Sequence, residues 1–127
     1  MPPARRPVFL NLFKIRLPIT GITSFLHRVS GVLLFLAIPF SIYALDLSLS
    51  GPAGYGKAVE LFNKPWIALF TILVLWSLVH HLLAGIRFLF IDIDLGVDRL
   101  TARRTAWTVV VSAVAIALLL AAWGWLK

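Results

Sequence analysis

The chain has 127 residues, of which 61% are apolar and only 13% charged, with a mean hydropathy of +0.96 and a formal net charge of +7. Soluble domains carry about 25% charged residues and expose little contiguous apolar surface, so this composition excludes a soluble enzyme and a disordered tail and leaves a small polytopic membrane protein. The absence of cysteine excludes disulfides, iron–sulfur or zinc–thiolate ligation by this chain, and covalent c-type haem.

Residues 1–23 come first. Phe9, Leu10, Leu12, Phe13 and Ile15 alternate with Asn11, Lys14 and Arg16, and Pro18 follows. The stretch is too short and too charged to span a bilayer and is expected to lie at the interface, or to dock beneath a soluble partner. The first long apolar run starts only near Val29 with no small-residue cleavage site after it, so no signal peptide is expected. A transmembrane helix needs about 20 apolar residues, and three segments supply them: about 24–47, 65–91 and 105–126. Pro39 falls inside the first, where a membrane helix tolerates it, and Pro65 opens the second, where its missing N–H costs nothing. Gly51, Gly54 and Gly56 around Pro52 predict a turn-rich connection; no Lys-Ser/Thr follows to complete a phosphate loop. No internal repeat is present.

The 12 basic residues, against 5 acidic ones, set the orientation. Arg5, Arg6, Lys14 and Arg16 precede the first span, and Arg99, Arg103 and Arg104 lie between the second and third, with Arg87 just inside the helix. Lys57 and Lys64 in the other connection are diluted by Asp46 and Glu60. The positive-inside rule therefore predicts a cytoplasmic N-terminus and 92–104 loop, and a C-terminus on the opposite side. Trp66, Trp123 and Trp125 then fall at the outer interface, as an aromatic belt. The basic excess is read as topology and not as a nucleic-acid surface.

Two polar clusters interrupt the apolar spans. Ser24, His27 and Arg28 stand at i, i+3 and i+4 and share a helix face. A hydroxyl, an imidazole and a guanidinium there can hydrogen-bond a quinone carbonyl or hold an anionic group such as a haem propionate. The competing reading is Arg28 snorkelling to the headgroups beside an interfacial His27. The second cluster is His80-His81, followed by Gly85, Arg87 and Asp92. Adjacent helical residues point about 100° apart, so only one of the two histidines can face squarely into the bundle. His81 lies 11 residues before Asp92, about 16 Å of helix, near mid-bilayer. A neutral imidazole at that depth suits b-type haem, and Gly85 leaves room for a flat macrocycle; the competing reading is a histidine bonded to a neighbouring helix. One axial ligand from this chain implies a second from another polypeptide. Asp92, Asp94 and Asp98 read as solvated charges.

The segments Arg6-Pro7 … Ile15-Arg16-Leu17-Pro18-Ile19-Thr20 … Ser24-Phe25-Leu26-His27-Arg28-Val29-Ser30-Gly31-Val32 and His81-Leu82-Leu83-Ala84-Gly85-Ile86-Arg87, ending at Asp92, resemble the two signatures of the succinate dehydrogenase cytochrome b556 subunit family, and the resemblance covers nearly the whole chain. It implies an all-α membrane protein whose three transmembrane helices and N-terminal interfacial segment pack with a second membrane anchor subunit into a bundle, in a bacterial inner membrane. It implies one haem b shared with that subunit, with His81 as this chain's axial ligand and His27 and Arg28 near the propionates. Ser24 and Arg28 would line the site where ubiquinone, the substrate, is reduced. FAD and iron–sulfur clusters would reside in a flavoprotein and an iron–sulfur subunit, and no succinate chemistry in this chain; trimerisation of the heterotetramer stays open. His80 stands where relatives often have an aromatic residue and is not the expected ligand; Phe88 stands where many have histidine, a departure that bears on a contact near the haem edge and not on the axial bond. The alternatives are a quinol:fumarate reductase anchor, a haem-free structural anchor, and a small transporter; a transporter would usually carry an acidic residue within a span, which this chain lacks.

Overall fold

A computed structural model describes residues 16–126. The segment 1–15, with Arg5, Arg6, Lys14 and most of the expected interfacial stretch, lies outside the described residues. The order is α1 (Ile19–Leu49), α2 (Pro52–Phe62), α3 (Pro65–Asp92) and α4 (Arg99–Trp125), with no strand among the described residues. Three of the helices, α1, α3 and α4, are long and apolar enough to cross a membrane, which makes this an all-α multi-pass membrane protein. Residues 19–23 are the first turns of α1. At 31 residues α1 is about 46 Å long, well beyond a hydrocarbon core of about 30 Å, so it continues into the interface. It runs through Pro39 without a break.

The ends of the helices follow from local chemistry. Pro52 and Pro65 occupy the first turns of α2 and α3, where no N–H is needed. At the end of α3, Asp94 adopts φ 60°, its N–H bonds Ile91 O at 3.0 Å, and Leu95 N–H bonds Phe90 O at 2.9 Å. These paired bonds around a left-handed residue are a Schellman stop. The chain then turns to Asp98, whose Oδ1 accepts the Thr101 N–H at 3.0 Å and caps α4.

Asp98 is therefore more than a solvated charge. Hydrogen bonds from Thr101, first from its side chain and then from its backbone, hold the carboxyl below its ordinary pKa. A depressed folded-state pKa gives stability that is present above the unfolded value and lost as pH falls through the folded one. Asp98→Ala is expected to lower the melting temperature in detergent at neutral pH, Asp98→Asn to recover most of the loss, and the gap between wild type and Asp98→Ala to close in acid. A gap that persists at low pH would argue against the cap.

The predicted turn-rich connection contains a helix. Gly51 (φ +101°) makes the turn, but Gly54 and Gly56 lie inside α2. Tyr55, Ala58, Val59 and Phe62 recur at helical spacing, and Gly54 permits close approach: a Cβ there would collide with the Ser50 hydroxyl and the Leu47 carbonyl.

Helix α3 is central, packed on one side by α1 and on the other by α4. Lipid tails are as apolar as leucine, so burial does not drive these contacts; close backbone approach does. The interior is accordingly small: Ala37, Ala44, Ala84, Ala106, Ala113 and Ala117 are buried with Thr23, Ser30 and Ser77. The buried hydroxyls are satisfied within the helices, Thr23 Oγ1 by Ile19 O at 2.9 Å and Ser77 Oγ by Leu73 O at 2.8 Å.

Candidate functional site

The basic end of the bundle carries an interlocked pair of helices. α1 presents His27 and, four residues on, Gly31; α3 presents His81 and, four residues on, Gly85. The helices run antiparallel, so each imidazole lies over the other's glycine. A Cβ added at Gly31 would stand 3.0 Å from His81 Cε1, and one added at Gly85 would stand 3.6 Å from His27 Nε2. The two rings stack face to face, centroids 4.1 Å apart and 13° from parallel.

His81 is oriented through Nδ1, which lies 3.1 Å from the His27 carbonyl and 3.3 Å from Ser30 Oγ. A carbonyl can only accept, so this contact assigns the proton to Nδ1 and leaves the Nε2 lone pair available. Ser30 is fully buried and donates to the same carbonyl at 2.8 Å. A carbonyl behind one ring nitrogen is the usual setting of a metal-ligating histidine. Beyond Gly31 an apolar groove of about 720 Å³ follows the α1–α3 seam past Leu34, Val74 and Leu78.

The neighbouring histidine behaves differently. His80 is fully enclosed, neither ring nitrogen has a hydrogen-bond partner, and the ring lies against Trp76 with centroids 5.3 Å apart. It packs as an aromatic ring, sealed from outside access. The half-exposed His81, at the seam, is the imidazole that a ligand can reach.

The other predicted residues are distributed around this pair. Ser24 is half-buried one turn before His27, and Arg28 is exposed; neither side chain makes a hydrogen bond to another described residue. The structure brings His27 and His81 into contact and leaves the Ser24 and Arg28 polar groups uncommitted beside them. Phe88 sets its ring against the edge of His27, with centroids 5.2 Å apart, so phenylalanine at this position still touches the cluster.

Ser30, Gly31 and Arg87 are the residues whose roles the sequence did not expose. Gly31 and Ser30 lie within the quoted motif, and their spacing from His27 was the available signal. Arg87, counted as a topological charge, is only 7% exposed and bonds α4 through Nε to Thr105 Oγ1 and Nη2 to Ala102 O, both at 3.1 Å.

A three-span helical bundle with two imidazoles stacked across its basic end defines a polytopic membrane protein with paired histidines at a helix seam. The model of the succinate dehydrogenase/fumarate reductase transmembrane subunit family matches residues 2–121. The succinate dehydrogenase cytochrome b556 subunit of Coxiella burnetii is 38% identical over 124 residues, covering 96% of this chain and 98% of that one. The proteins of the same name from Paracoccus denitrificans (31% over 116 residues, 90% of this chain and 88% of that one) and Rickettsia felis (32% over 116 residues, 91% and 90%) are similar along their length. The chain belongs to the succinate dehydrogenase/fumarate reductase transmembrane subunit family.

Proposed function

We propose that this chain is the haem-b-binding membrane anchor of a succinate:quinone oxidoreductase and supplies part of its quinone-reduction site. The observation that carries the reading is the seam itself: His81, held through Nδ1 by the His27 carbonyl, with glycines where side chains would crowd the imidazoles. These residues fit a haem. His81 would hold the iron through Nε2, with a further ligand supplied by a second anchor subunit, and His27 and Arg28 would serve the propionates. When bound, the haem supplies a one-electron store within the membrane.

This chain's own residues do the rest. Arg28, exposed at the basic end and without a carboxylate partner among the described residues, stabilises the negative charge that develops on a quinone oxygen. Ser24, one turn earlier on the same face, hydrogen-bonds that oxygen and fixes the head group. Two electrons, delivered from a flavoprotein through an iron–sulfur subunit, and two protons convert quinone to quinol. The names of the relatives favour succinate oxidation over fumarate reduction as the direction. By the positive-inside rule the His27 end and the 93–98 connection would face the cytoplasm across a bacterial inner membrane, where the N-terminal segment would meet the iron–sulfur subunit.

Affinity purification of the tagged chain from mildly solubilised membranes tests this. A flavoprotein, an iron–sulfur protein and a second anchor are expected to co-purify in equal amounts, with a b-type band that succinate or dithionite reduces. A chain that elutes alone, or a complete complex with no such band, would overturn the assignment.

A further inference from the structure

Arg87 poses an electrostatic problem that the quinone and haem reading does not use. The residue is only 7% exposed between two membrane-spanning helices, its guanidinium carbon lies 5.6 Å from the centre of the Phe88 ring, and both of its hydrogen-bond acceptors, Thr105 Oγ1 and Ala102 O, are neutral. All five acidic side chains of the protein, Asp46, Glu60, Asp92, Asp94 and Asp98, are exposed, and none pairs with it. A buried charge without a counter-charge is costly, and in a bilayer it marks a functional position.

The surroundings of Arg87 indicate what balances it. It lines a groove of about 360 Å³ between α3 and α4, floored by the Schellman turn at Leu95 and Gly96. One wall carries the hydroxyls of Thr105 and Thr108, and the rest is apolar, with Ile86 and Phe90 exposed on the outside of the bundle. Arg104, exposed, stands one turn before Thr108 on the same face of α4 and adds a second positive charge. Six residues separate Arg87 from His81, about 120° around α3, so this groove faces away from the stacked imidazoles. Guanidinium groups recognise phosphate oxygens through paired N–H donors, and basic clefts between transmembrane helices suit anionic head groups. The apolar wall matches the acyl chains that come with such a head group.

We propose that the α3–α4 groove at the basic end binds an anionic phospholipid, with its phosphate against Arg87 and its acyl chains along Ile86 and Phe90. The intact complex in phosphatidylcholine proteoliposomes, doped with photoactivatable phosphatidylglycerol, tests this. Labelling is expected within 83–109, at least tenfold above that from photoactivatable phosphatidylcholine, and to fall at least tenfold in Arg87→Gln. Ile86→Trp fills the mouth of the groove while leaving both Arg87 bonds in place; it is expected to give the same loss, and it decides the matter if Arg87→Gln does not assemble. Millimolar inorganic phosphate is expected not to compete. Equal labelling by the two lipids, labelling indifferent to both substitutions, competition by free phosphate, or labelling that appears only after the other subunits are stripped away would each overturn the proposal. The last two results would assign the groove to a soluble anion and to a protein partner.

Discussion

His81→Ala is expected to abolish the b-type absorbance of the purified complex while succinate oxidation measured with an artificial dye at the peripheral subunits continues. The reason is positional. His81 is the histidine at an open seam, its Nδ1 committed to the His27 carbonyl and its Nε2 free, whereas its neighbour is sealed. His80→Phe is the matching control. It keeps the flat ring against Trp76 and removes two buried nitrogens that have no partners, so the band should survive and stability should hold or rise, because an unsatisfied buried polar atom costs about 1–3 kcal/mol. His81→Met separates ligation from folding: a thioether can still meet iron, and the band should return with a raised midpoint potential. Loss of the band in His80→Phe, or its persistence in His81→Ala, would exchange the roles of the two histidines or remove the haem from this chain.

Arg28→Leu is expected to lower quinone reduction by about 10²- to 10³-fold, the usual loss when a donor to developing negative charge is removed, with dye-linked succinate oxidation unchanged. Arg28 is exposed and its side chain bonds no described neighbour, so its removal takes little from the fold. Arg28→Lys should recover only part of the rate, since an ammonium keeps the charge but loses the planar fork. Parallel loss of both activities would show that Arg28 acts in assembly.

The three spans were legible because crossing hydrocarbon demands an apolar run of fixed length, and nothing else in the chain supplies one. Their ends were not: apolarity marks the depth of lipid, whereas the helices stop where backbone chemistry stops them, at Pro18, at the Asp94 turn and at the Asp98 cap. α2 was hidden because its glycines read as turns, while Gly54 is there for contact with the end of α1. At the site, the 100° rule showed that the paired histidines must part company, but which of them faces the sealed side depends on where α4 packs. A further role of Arg87 was hidden for the same reason: a count of charges reads it as topology, and only its bonds to α4 show that it also ties two helices together inside the bundle.

The alanine-lined interior has a thermodynamic consequence. The chain keeps its small residues within and turns its bulk outward: Phe35, Leu69, Leu89, Leu118 and Leu119 are all exposed, and the buried apolar residues are mostly alanine. Most of the dispersion energy available to these helices is therefore realised against whatever surrounds them. A melting temperature for such a subunit belongs jointly to the chain and its solvent of lipid, detergent or protein, and changing that solvent is equivalent to changing its outer half.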